Sequence, residues 1–76
     1  MIEREVALRI ESAIADAAVT ASGDGSRMQI RVVSPAFAGL SRVRKQQLVY
    51  AAIAELIAAG ELHAVTIQAL TPDESG

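Results

Sequence analysis

The chain is predicted to fold as an α+β domain of order α-β-β-α-α-β, a three-stranded mixed sheet with its two longer helices on one face. Three observations predict it. Residues near the start and past the middle carry apolar side chains at helical spacing. Segments near the centre and the end alternate apolar and polar residues as half-buried strands do. Between the first two strand-like segments stands Ser22-Gly23-Asp24-Gly25-Ser26, the strongest turn signal in the chain.

The elements follow in order. Ile2, Val6, Ile10, Ala13 and Ile14 share one helical face and charged residues fill the other, which predicts a helix over residues 2–15. Glu5 and Arg9 stand four apart in the favourable order. Ala18 to Ala21 is β-prone, and Met28 to Ser34 alternates at its start, so the two make an antiparallel hairpin about the glycine turn. Pro35 stops the second strand and starts a short helical turn with Ser34 as its N-cap. Phe37 is the natural plug between helix and sheet, and Gly39 ends the turn. Ser41 caps a long helix from Arg42 to about Ala59, with Gly60 in the position of a left-handed terminating glycine. Its predicted core stripe is Val43, Tyr50, Ile53 and Ile57, with Val49 and Leu56 beside it.

Residues 62–70 read as the last strand. His63, Val65, Ile67 and Ala69 face the helices, while Leu62, Ala64, Thr66, Gln68 and Leu70 take the other side. Thr71-Pro72 ends it and Asp73 to Gly76 is expected to fray. A helix joining the second and third strands is a crossover, so those strands pair parallel.

Seventy-six residues without cysteine make one thin-cored domain, residues 1–76, with no disulfide to staple it. No charged leader precedes an apolar run at Met1, and the apolar stretch Val49–Ala59 is short and interrupted by Glu55. The expectation is a cytoplasmic protein with no membrane association. The net charge of −2 is unevenly spread. Residues 1–24 carry −3, residues 25–54 carry +5 and residues 55–76 carry −4. Arg42, Arg44 and Lys45 crowd the first turn of the long helix, where the helix dipole disfavours cations. They read either as a solvated face or as a patch for nucleic acid or an acidic partner. An enzyme is not expected: no thiol nucleophile and no His–carboxylate–Ser constellation is present.

His63 is the single histidine. Alone it is either a structural residue or one chain's share of a metal site completed elsewhere, because stable sites need several converging donors.

Several blocks together resemble the BolA family, and its IbaG branch in particular. The most specific is Phe37-Ala38-Gly39-Leu40-Ser41-Arg42-Val43-Arg44-Lys45, which matches the family pattern F-x-G-x-S-x-V-x-[RK]. Gln46-Gln47 follows as in the IbaG branch. The glycine turn and His63-Ala64 with Thr71-Pro72 match in order and spacing. The resemblance implies a class II KH-like fold. It also implies an adaptor that pairs with a monothiol (CGFS) glutaredoxin and shares a [2Fe-2S] cluster, glutathione supplying a further thiolate. On that implication His63 is the chain's ligand, the free chain binds no cofactor, and it is a monomer or weak dimer. The family's second donor, a His or Cys in the hairpin loop, is missing: the sequence there reads Ser26-Arg27-Met28. A permanently cationic Arg27 cannot replace an imidazole, so a shared cluster is expected to be weaker or differently ligated. The alternative is a nucleic-acid-binding regulator of transcription or stress response acting through Arg42, Arg44 and Lys45. Against it, Gly39-Leu40-Ser41-Arg42 has only the first glycine of the KH G-x-x-G clamp, and Phe37 and Tyr50, the only aromatics, are expected to be buried.

Overall fold

A computed structural model describes residues 2–24, 27–62 and 64–75. Helix α1 (Ile2–Ala13) leads into strands β1 (Ala18–Asp24) and β2 (Arg27–Val33). A 3₁₀ turn (Pro35–Phe37) then precedes helix α2 (Arg42–Ala58), strand β3 (Ala64–Leu70) and the short helix α3 (Pro72–Ser75). The sheet order is β1-β2-β3. β1 pairs antiparallel with β2, and β2 pairs parallel with β3, as the crossover requires. No helix among the described residues is long and apolar enough to cross a membrane.

The core forms where the apolar faces meet. Val6 and Ile10 of α1, with Ile14 beyond it, lie with Val49, Ile53 and Leu56 of α2 over Met28, Ile30 and Val32 of β2, and Phe37 is fully buried among them. Ser34 joins the layers. Its hydroxyl donates to the Ala15 carbonyl at 2.6 Å and accepts from the Ala36 N–H at 3.1 Å, leaving a buried polar group fully satisfied.

The termini of α2 follow the residue chemistry. Ser41 Oγ accepts from the Arg44 N–H at 3.2 Å. At the other end Gly60 takes φ +79°. There the Glu61 N–H donates to Leu56 O and the Gly60 N–H to Ile57 O, the paired bonds of a Schellman ending.

Four expectations change. The core stripe of α2 is Val49, Ile53 and Leu56, whereas Val43, Tyr50 and Ile57 are 64%, 40% and 37% exposed. Apolar residues ring this helix so broadly that two stripes compete in sequence, and packing on the sheet and α1 selects the one at i, i+4, i+7. Leu62 precedes the strand and is buried, because it closes the core below the end of α2 instead of joining the solvent face of β3. The hairpin strands run longer than expected: Ser22, Gly23 and Asp24 belong to β1, and Gly25 and Ser26 lie outside the described residues. Finally, the tail expected to fray forms α3, for a reason given below.

Candidate functional site

The hairpin end and the start of β3 share one corner of the sheet. Arg27 is the register partner of Asp24 on β1 and of Ala64 on β3. Parallel neighbours lie about 4.8 Å apart, so the residue that follows His63 is held directly against Arg27. His63 itself lies outside the described residues.

Gly23 allows the corner to close, since a Cβ there would run into the backbone carbonyl of Arg27. Around it the helix-free face carries a shallow cavity of about 390 Å³, lined by Ser22, Arg27, Gln29, Ala64 and Thr66 among others. Hydroxyls, an amide and a guanidinium are hydrogen-bonding groups, not soft metal donors. Among the described residues no group of three or more His, Cys, Asp or Glu side chains could hold a metal ion.

The basic residues lie at the opposite end of β3. Arg42, Lys45 and Gln46 border Ile67 to Leu70, roughly 10–20 Å along the strand from the corner at Ala64. The structure therefore separates the basic patch from the Arg27 position. It also divides the patch. Arg42 and Arg44 are exposed, but Lys45 Nζ donates to Glu74 Oε1 at 2.8 Å and its side chain is largely covered.

The same Glu74 oxygen accepts from the Thr71 N–H at 2.9 Å, while Thr71 Oγ1 accepts from the Glu74 N–H at 3.3 Å. This reciprocal pair is a capping box, and it orders α3. The signal was present in sequence as Thr71-Pro72-Asp73-Glu74, a T-x-x-E box with proline at the first helical position. The Lys45 ammonium, followed by the Thr71 N–H, lowers the Glu74 carboxyl from its ordinary 4.5 to about 2. One of the three cations is thus committed to holding the C-terminal turn.

Comparison with known proteins adds the context. A model of the BolA-like protein family matches residues 4–74. The acid stress protein IbaG of Escherichia coli (strain K12) is 43% identical over 74 residues, which cover 97% of this chain and 88% of the relative. Among solved structures, a BolA homologue from Coxiella burnetii superposes with a TM-score of 0.82 at 29% identity, over 95% of this chain and 92% of that one. The BolA domain of SufE1 from Arabidopsis thaliana gives 0.76 at 28% identity, over 96% and 94%. The fold built above and these matches agree across almost the whole chain, which belongs to the BolA family.

Proposed function

We propose that the protein is a non-enzymatic cytoplasmic adaptor in iron–sulfur cluster assembly, trafficking or regulation. It pairs with a monothiol glutaredoxin and contributes His63 to a shared [2Fe-2S] cluster. The observation that carries this reading is the pairing of Ala64 with Arg27. It sets Ala64, the residue after His63, beside Arg27, the position where the resemblance expects the second donor. A strand end of this kind positions a ligand better than a free loop does.

The residues present suit a single-ligand share. Arg27 brings charge where the family brings a donor, and the chain has no cysteine. The remaining ligands then belong to the glutaredoxin and its glutathione. Nitrogen ligation of one iron raises a cluster's potential, as Rieske centres show. It also ties release to pH, since an imidazole must be neutral to bind. That property fits a relative named for acid stress: falling pH protonates the ligand and frees the cluster.

The experiment mixes the chain with a CGFS glutaredoxin, glutathione, iron and sulfide. The expected product is a heterodimer whose visible absorption and circular dichroism differ from those of the glutaredoxin homodimer, and His63→Ala removes the difference. A His63→Ala mixture with unchanged spectrum and cluster lifetime would refute the ligand role.

A further inference from the structure

The sheet is narrower than the layer of helices above it. Three strands span about 14 Å, whereas two packed helices with their side chains span roughly 20 Å. The shortfall of about 6 Å is shared by the two sheet edges, and the two edges meet it differently.

Beside β1, the flank of α1 turned away from α2 carries Arg4 and Glu11, which suit water. The corresponding flank of α2 is apolar. The Arg9–Glu55 ion pair at 3.8 Å marks the side of α2 that faces α1. Val43, Tyr50 and Ile57, spaced by seven, lie exposed on the other side of α2, the helix that packs on β3.

The strand below is built to accept a neighbour. The Ser34 N–H donates to the Leu70 carbonyl at 2.9 Å, so the backbone polar groups of Leu70 point toward β2. By alternation those of Gln68, Thr66 and Ala64 do the same, and those of Val65, Ile67 and Ala69 point outward. The side chains of these three are only half-buried, while their register partners Met28, Ile30 and Val32 on β2 are buried. Ala64–Leu70 contains no charge, proline or glycine, the usual devices that blunt an edge. At the start of α2 a groove of about 270 Å³ is lined by Gln46, the Ile67–Leu70 stretch, the paired Lys45 and Glu74, and Arg42.

We propose that the outer edge of β3 binds one extended segment of a partner polypeptide as a fourth strand. Its backbone pairs with Val65, Ile67 and Ala69. Its alternate apolar side chains lie beneath Val43, Tyr50 and Ile57, and an acidic side chain reaches Arg42. Spacing sets the kind of occupant: an added strand widens the sheet by about 4.8 Å, less than the 8–10 Å another packed helix needs, so the edge takes a bare strand and not a strand that carries its own helix. A second copy paired edge to edge would press two α2 helices closer than the 8–10 Å that packed helices need. Backbone pairing supplies the affinity and the alternating pockets the selectivity, as in other strand-addition complexes. The proposal is independent of the cluster reading, and the two fail separately.

The test titrates the ¹⁵N-labelled full chain with the capped peptide Asp-Glu-Val-Thr-Ile-Thr-Val-Ser and with its reversed sequence. One of them should slow amide exchange at Val65, Ile67 and Ala69 and shift the Tyr50 ring resonances. Exchange at Thr66 and Gln68, already bonded to β2, should stay unchanged. N-methylation of the peptide's alternate pairing amides should abolish binding, and Tyr50→Asp should weaken it about tenfold, the scale of a single buried aromatic anchor. The proposal is overturned if neither peptide binds saturably, if the shifts map to β1 or the helix-free face, or if N-methylation has no effect. It is also overturned if a dT₁₀ oligonucleotide reproduces the β3 changes more tightly, which would make the edge a nucleic-acid surface.

Discussion

The two ends of β3 are held in opposite ways. At its C-terminal end Leu70 bonds Ser34, Ser34 bonds Ala15, Thr71 and Glu74 cap one another, and Lys45 locks Glu74 to α2. At its N-terminal end Ala64 meets Arg27 beside a shallow cavity on the open face, and hydroxyls and amides point toward solvent. Polar side chains tie one end to the rest of the domain; at the other they line an open face. The basic cluster that stands out in sequence sits at the anchored end and is partly absorbed by it.

The comparison can be broken from either side. The largest effect is expected at the anchor. Ser34→Ala removes the donor to Ala15 O and the acceptor for the Ala36 N–H, two part-buried hydrogen bonds worth about 0.5–1.5 kcal/mol each. Urea unfolding measures this, and a loss no larger than that of an exposed substitution would show that Ser34 is not the tie.

A smaller effect is expected at Glu74. Its folded-state carboxyl is held at about 2 against 4.5 in the unfolded chain. A depressed pKa contributes stability that is fully present above 4.5 and is lost as pH falls toward about 2. Glu74→Gln should therefore lower the melting temperature slightly at neutral pH and leave it equal to wild type at the acid end. A constant offset at every pH would contradict the Lys45–Glu74 account.

The smallest stability effect is expected at the open end. Arg27→His should change stability by less than about 0.5 kcal/mol, as exposed substitutions do. It should nevertheless lengthen the lifetime of the glutaredoxin-shared cluster by restoring an imidazole at the family's donor position. No change in lifetime would mean that this position cannot reach the cluster here.

Much of this was legible in the residues. The element order, the mixed pairing, the caps at Ser34 and Ser41 and the ending at Gly60 follow from local chemistry that tertiary contacts do not override. The burial of Phe37 and the outward face of Thr66 and Gln68 were equally readable. The stripe on α2 was not, because Val43, Tyr50 and Ile57 satisfy a helical period as well as Val49, Ile53 and Leu56 do. Only the placement of α1 beside the helix decides between them. The capping box of the tail is legible in Thr71-Pro72-Asp73-Glu74, whereas the Lys45 bond that anchors it comes from 29 residues away. Arg27 stands out in sequence at the position of the missing donor, but its pairing with Ala64 depends on a strand register that a sequence does not print.

On the proposed function this chain brings one ligand, His63, to a cluster completed by its partner. The most direct measurement labels its histidine with ¹⁵N, forms the cluster-bridged complex with unlabelled glutaredoxin, and records HYSCORE spectra of the reduced cluster. The account predicts strong hyperfine coupling to one ¹⁵N imidazole, absent in His63→Ala. A labelled complex that holds its cluster without any such coupling would contradict it.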